Sequence, residues 1–263
     1  MPKSCGACGS PLDPAAVAAN LWRCPACGDH RPMPARARLE LLADPGSLGA
    51  VDQEIVGGDP LKFVDSRPYP ERLLEARADA GETEAFIAAP ATSGGVPVLV
   101  GAMDFAFMGG SMSSAVGERV ARVFERAANE KRAVVIATAS GGARMQEGTL
   151  SLFQMTKTAA AIARFRRGRT PYLALLCHPT LGGVAASFGT LADVLLAEPR
   201  ARIGFAGPRV IEQLLGRPLA PGFQRAEFLF EHGLIDRIVP RDRQREEIAR
   251  LVGLLSGGSG HAA

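Results

Sequence analysis

Residues 133–144 read AVVIATASGGAR: a run of small and β-branched apolar residues, then two consecutive glycines. The unbroken apolar stretch Ala133 to Ala139 predicts a strand buried on both faces. Gln146 to Phe165 has the spacing of a helix, so Ser140-Gly141-Gly142-Ala143-Arg144 lies at a strand-to-helix junction. Backbone N–H groups point outward at such a junction, and paired glycines let a ligand come close to the chain. A second loop, Pro179-Thr180-Leu181-Gly182-Gly183, repeats the arrangement after an apolar run at Tyr172 to Cys177. Two such loops on neighbouring strands offer two N–H donors to one oxygen, the geometry of an oxyanion hole. The same spacing also suits two ordinary strand-to-helix turns.

Outward from this pair the alternation continues. Val96 to Met103 and Asp193 to Ala197 read as further strands, and Glu118 to Asn129 and Val184 to Leu191 as helices, which makes an α/β domain over 96–255. Helical periods at Arg209 to Leu215, Ala226 to Glu231 and Arg243 to Leu255 complete it, and residues 256–263 form a Gly/Ser-rich tail. Upstream, residues 35–95 mix Pro, Gly and charge, with short helices expected at Arg36 to Leu48 and Glu71 to Ala78. This segment is expected to be a connector packed on the main body.

The chain has 263 residues, 47% of them apolar, enough to fill a large core, and a net charge of +3 that favours no polyanion in particular. No stretch nears the roughly 20 apolar residues of a membrane helix, and the N-terminus lacks a signal-peptide core, so a cytoplasmic protein with no membrane association is expected. Four of the five cysteines form C-x2-C-x15-C-x2-C through Cys5, Cys8, Cys24 and Cys27. That spacing suits a tetrahedral four-thiolate zinc site, one ion per chain, closed and therefore structural. Residues 1–34 then form a zinc ribbon that depends on its metal to fold. A lid or docking piece beside the site, or a nucleic-acid contact, is its functional reading; Arg23, His30, Arg31, Arg36 and Arg38 make its surroundings basic, which more commonly means a solvated rim.

Several chemistries are absent. There is no G-x-G-x-x-G after a strand, no P-loop, and no G-x-S-x-G around a serine. His30, His178, His232 and His261 show no pairing with a nucleophile; His178, just before the second loop, is an acid or base candidate, although a lone His at a strand end is more often structural.

Five segments of the chain resemble a known family in the family's own order. They are LKFVDS from Leu61, MDFAFMGGSM from Met103, SGGARMQEG from Ser140, IGFAGPRVIEQ from Ile203 and PGFQRAEFLFEHGLID from Pro221. Together with the cysteine ribbon they resemble the β subunit of acetyl-CoA carboxylase carboxyltransferase. The resemblance implies a crotonase-like fold of repeated ββα units and transfer of a carboxyl group from carboxybiotin to acetyl-CoA, giving malonyl-CoA. It assigns oxyanion donors to Gly141, Gly142, Gly182 and Gly183, with Gly142 and Gly183 the leading pair. It puts Phe107, Met108, Gly109, Gly110, Phe205, Ala206, Gly207 and Arg209 near the acyl-CoA or a subunit interface, and Arg144 and Lys157 at its phosphates. In the chemistry implied, carboxybiotin releases carbon dioxide, and the biotin enolate left behind takes the α-proton of acetyl-CoA. The Met-Lys-Met signature of a biotin acceptor is absent, Met155 being followed by Thr156. The implied partners are therefore a carboxyltransferase α subunit in an α2β2 assembly, a biotin carboxyl carrier protein and a biotin carboxylase. Two positions depart from the family's pattern: His178 replaces an Asp, and Ser113 a Gly. A specialised paralogue for another acyl-CoA, a decarboxylase, and a ribbon that reads nucleic acid are the alternatives.

Overall fold

The computed structural model describes residues 4–257. Its strands are β1 (Phe86–Ser93), β2 (Val96–Met103), β3 (Ala133–Ser140), β4 (Tyr172–Leu181), β5 (Val194–Ala197), β6 (Ile203–Gly204) and β7 (Arg237–Ile238). Its helices are α1 (Pro14–Ala19), α2 (Ala35–Leu42), α3 (Tyr69–Ala80), α4 (Ser114–Glu130), α5 (Thr149–Phe165), α6 (Gly182–Ala185), α7 (Pro208–Leu215), α8 (Ala226–Glu231) and α9 (Gln244–Leu255).

The apolar runs become central strands because both of their faces are covered. Along β3, Val134 and Ile136 enter one core, while Ala133, Val135 and Ala137 enter the other. Strand β4 divides in the same way, Tyr172, Ala174 and Leu176 against Leu173, Leu175 and Cys177. Helices α3, α4 and α5 close the first core, where Phe124 meets the rings of Phe165 and Tyr172 at 5.5 and 4.9 Å. Helices α2 and α9 close the second. The sheet runs β1-β2-β3-β4-β5-β7, with β6 also paired to β4; β1 and β2 are antiparallel and the other pairs parallel.

The expected boundary at residue 96 is displaced. The sheet begins at Phe86, because β1 and β2 form a hairpin closed by Gly94 and Gly95. Pro90 is tolerated because β1 is an edge strand. Segment 35–95 is therefore more than a connector: it supplies α2 and β1 to one core and α3 and β1 to the other.

The cysteine module has a small core of its own, Cys5, Leu12, Val17 and Cys24 with Trp22 against them. It is nonetheless tied to the body by a buried ion cluster. Arg241 donates from Nε and Nη2 to the Glu198 carboxylate at 2.8 and 2.7 Å, and from Nη1 to the carbonyls of Leu21, Trp22 and Arg31. Arg38 joins the same carboxylate at 2.7 Å. Burial alone would raise the Glu198 carboxyl, but Arg38 and Arg241 hold it well below the usual carboxylate range. The ribbon is separate in its core and shared in its charges.

Candidate active site

The two glycine loops meet. Beyond a bulge the register of β3 and β4 resumes at Ser140 opposite Thr180, and the hydroxyls of Thr138 and Thr180 bond at 2.8 Å. This sets Gly142 against Gly182 so closely that a Cβ on Gly182 would lie 2.9 Å from the Gly142 Cα. Both have positive φ, +123° and +57°, so glycine is needed at each for backbone shape as well as for space.

Three of the four expected N–H donors are already used. Gly141 N donates to the Gly109 carbonyl at 2.9 Å and Gly182 N to the Phe205 carbonyl at 2.8 Å. Gly142 N donates to the Ser140 hydroxyl at 3.0 Å. In this structure those three amides each have an acceptor within the protein. Ala143 N and Gly183 N have no protein acceptor among the described residues. The two residues are neighbours: a Cβ on Gly183 would lie 3.4 Å from the Ala143 Cβ. Which amide is already bonded is not written in residue type, so a reading that credits the glycines does not single out Ala143.

Arg144 is fully buried and faces inward, not toward a phosphate. Its guanidinium grips Glu84 at 2.7 and 2.9 Å and donates to Tyr69 Oη, Ser111 Oγ and the Ser111 carbonyl, with the Phe107 ring beneath it at 5.4 Å. Tyr69 in turn donates to Glu147 at 2.8 Å, and burial pushes its phenol well up from the ordinary value. The Ala143 amide thus sits beside a residue clamped from three directions, and a backbone bridge to Met112, Met112 N to the Gly142 carbonyl and Arg144 N to the Met112 carbonyl, fixes it further. Phe107 is core, not a substrate contact. Lys157 is not brought to the site either; its ammonium pairs with Glu118 of α4.

A cleft of about 510 Å³ opens beside the first loop, lined by Met108, Gly109, Gly141, Ala143, Met145 and Phe105 among others. Met108 and Gly109 thus form part of the wall of this cleft. Gly110 is buried against Ala139. Phe205 is 71% exposed while its carbonyl holds Gly182, and the Ala206 carbonyl accepts from Gln224 at 2.8 Å. Gly207 caps α7, and the Arg209 side chain lies outside the described parts of the structure.

Residues 67–247 match the carboxyl transferase domain family. The chain is 50% identical over 258 residues to the acetyl-coenzyme A carboxylase carboxyl transferase subunit β of a Thermus thermophilus strain, covering 98% of this chain and 90% of that one. The chain belongs to the carboxyl transferase family. A longer member from a Parafrankia species, named as subunits β/α, is 49% identical and is covered over 41% of its length by 91% of this chain. Among solved structures, a Pseudomonas malonate decarboxylase hetero-tetramer in complex with malonate aligns with TM-score 0.67 at 25% identity, over 85% of this chain and 84% of that one. Transcarboxylase 12S aligns with TM-score 0.71 at 23% identity, over 91% and 43%, and supports the fold, which is crotonase-like as expected.

Of the two departures from the family pattern, Ser113 caps α4, accepting from Val116 N at 3.0 Å and donating to Glu84 at 2.8 Å, so it joins the clamp on Arg144. At the second departure, His178 Nδ1 accepts from Arg202 N at 3.1 Å, and burial, then Arg225 and Arg202, push its imidazole below the ordinary value. Within this carboxyl transferase chain the four thiols of Cys5, Cys8, Cys24 and Cys27 lie within 4.8 Å of one another. The Cys5–Cys27 and Cys8–Cys24 sulfurs are 3.8 and 3.9 Å apart. Four sulfurs around one tetrahedral ion, with bonds of about 2.3 Å, stand about 3.8 Å apart, so the cluster fits a metal.

No helix among the described residues is long and apolar enough to cross a membrane.

Proposed function

We propose that the chain is the β subunit of an acetyl-CoA carboxylase carboxyltransferase, acting in the cytoplasm, with acetyl-CoA as acceptor and malonyl-CoA as product. The observation that carries the site reading is that the neighbouring residues Ala143 and Gly183 each have an unbonded amide N–H among the described residues. When the α-proton of a thioester leaves, negative charge moves onto the carbonyl oxygen. Two fixed donors beside that oxygen stabilise the charge without reorganising. Neither loop presents a side-chain base, so these residues would hold and polarise the thioester while the base would be supplied by the carboxyl donor. Biotin, carried by a partner protein and charged by a biotin carboxylase, supplies the carboxyl group; this chain's residues hold and polarise the acceptor.

The second half of the site is assigned to an α subunit, in an α2β2 assembly. Large apolar side chains stand exposed on this chain: Met145 just after the first loop, Phe205 in the segment whose carbonyl holds the second, and Leu214 on α7, 84% exposed. In the Parafrankia relative the two subunits share one chain. The cysteine cluster is read as a structural zinc site, with one zinc per chain by elemental analysis. Because Arg241 bonds ribbon carbonyls, chelation is expected to disturb the body as well as the ribbon.

The test is reconstitution. The chain co-purified with its α partner is assayed for malonyl-CoA-dependent carboxylation of free biotin, the reverse reaction, across several acyl-CoA substrates. Turnover by the complex, with little by the isolated chain, supports the reading; full activity of the chain alone contradicts the shared site, and carbon dioxide release without biotin points to a decarboxylase.

A further inference from the structure

A second cleft, of about 720 Å³, separates the cysteine module from the body. Four arginines line it, Arg31, Arg200, Arg202 and Arg225, against one carboxylate, Asp29. Asp29 is shared by Arg31 at 3.6 Å and Arg200 at 3.1 Å. Arg202 and Arg225 form no ion pair among the described residues, and the Nε atoms of Arg31 and Arg202 are buried without a hydrogen-bond acceptor. Buried guanidinium donors without acceptors are unfavourable until an anion meets them, and phosphate fits their fork geometry. Since the His178 Nδ1 accepts a backbone N–H, its other nitrogen carries the proton and adds a neutral donor to this wall.

The position of the cleft narrows the choice of anion. Phe105 lines it and also lines the cleft at Gly141 and Ala143, so the two spaces adjoin. A ligand with an acyl thioester at one end and phosphates at the other spans both. The cations converge in a volume typical of small-molecule sites instead of forming the long open stripe that a nucleic-acid strand needs. We propose that the arginine cleft between the ribbon and the body binds the phosphate groups of the acyl-CoA whose thioester is held at Ala143 and Gly183, an inference that rests on the carboxyl transferase reading. The ribbon then has a direct role in substrate binding, and Arg31 is its contribution.

The experiment compares acetyl-CoA with acetyl-pantetheine, which has the same thioester and no phosphates, using the complex with its α partner. For the Arg202→Gln/Arg225→Gln variant the ratio of kcat/KM for acetyl-CoA over acetyl-pantetheine is expected to fall by roughly tenfold or more, about 1.4 kcal/mol. The corresponding double Lys variant, which keeps the charge, should recover part of it. General damage lowers both rates together, so a ratio within about twofold of wild type overturns the proposal. Should the Gln variant not fold, the wild-type complex decides: added salt raises KM for acetyl-CoA and leaves that for acetyl-pantetheine unchanged, and equal salt response of the two overturns it. Loss of salt-sensitive binding to a single-stranded RNA oligonucleotide with the substrate ratio unchanged overturns it in favour of nucleic acid. If the wild-type complex turns over neither thioester, the carboxyl transferase reading fails on its own. The cleft is then judged by equilibrium binding, with CoA expected to bind the chain more tightly than pantetheine and the Gln variant to abolish the difference; equal binding overturns the proposal.

Discussion

The two glycine loops meet at one site but are held there by different means. The first is anchored by side chains from far along the sequence: Arg144, beside Ala143, is locked to Glu84, with Tyr69, Ser111 and Ser113 completing the buried network. The second is anchored mainly by backbone, Gly182 N on the Phe205 carbonyl and Thr180 N on the Arg202 carbonyl, both reaching the segment that contains β6. The first loop is thus open to disruption by distant side-chain changes. The second responds only to changes of backbone or packing at the loop itself.

The largest break is expected beneath the first loop. A Cβ on Gly110 would lie 1.9 Å from the Ala139 carbonyl, rigid backbone at the end of β3. Gly110→Ala should cost more than about 4 kcal/mol, read as loss of soluble folded protein or of most of the denaturant midpoint. Next comes Glu84→Gln, which leaves the Arg144 guanidinium buried without a counter-ion. About 3–5 kcal/mol of stability should be lost in a urea titration, and transferase rate with it. Arg144→Lys should not preserve the site, because an ammonium cannot span both Glu84 oxygens and Ser111 as the planar fork does.

The second loop should yield less. On Gly183 a Cβ would meet Met112 Cε at 3.2 Å and Met155 Sδ at 3.3 Å, the far ends of flexible side chains. Gly183→Ala is expected to cost about 1–3 kcal/mol by overpacking, with kcat falling because the N–H beside Ala143 shifts. Smallest of all is Gly141→Ala: only the Gly109 carbonyl, at 3.6 Å, would be near, and Gly141 has no positive φ. Its stability should stay within about 0.5 kcal/mol of wild type. A large loss of stability there would contradict the open space the structure shows at this position.

The sequence made the central strands legible because burial on both faces leaves an uninterrupted apolar run, as in Leu173 to Cys177. The cysteine cluster was equally plain, since ligand spacing is written in residue type. Strand β1 was not, because Pro90 and the Gly94-Gly95 turn gave its surroundings the composition of a connector. The fate of Arg144 was hidden for a different reason. A phosphate-binding arginine and a buried one look alike until the carboxylate 60 positions upstream is seen beside it. The amides proposed as oxyanion donors were harder still, for every residue but proline has an N–H, and only the Ser140 hydroxyl and the Gly109 and Phe205 carbonyls reveal which are already taken.

That last distinction can be measured directly. Replacing Ala143 by lactic acid through nonsense suppression exchanges its N–H for an ester oxygen and leaves the side chain intact; the same exchange at Gly142, with glycolic acid, removes a donor already bonded to Ser140. In the assembled complex the ester at residue 143 should lower kcat for acetyl-CoA by about 10² to 10³, or 2.7 to 4 kcal/mol, and the ester at residue 142 should lower it far less. A residue-143 ester within about threefold of wild type, under roughly 0.7 kcal/mol, with the larger loss at residue 142, would contradict the assignment.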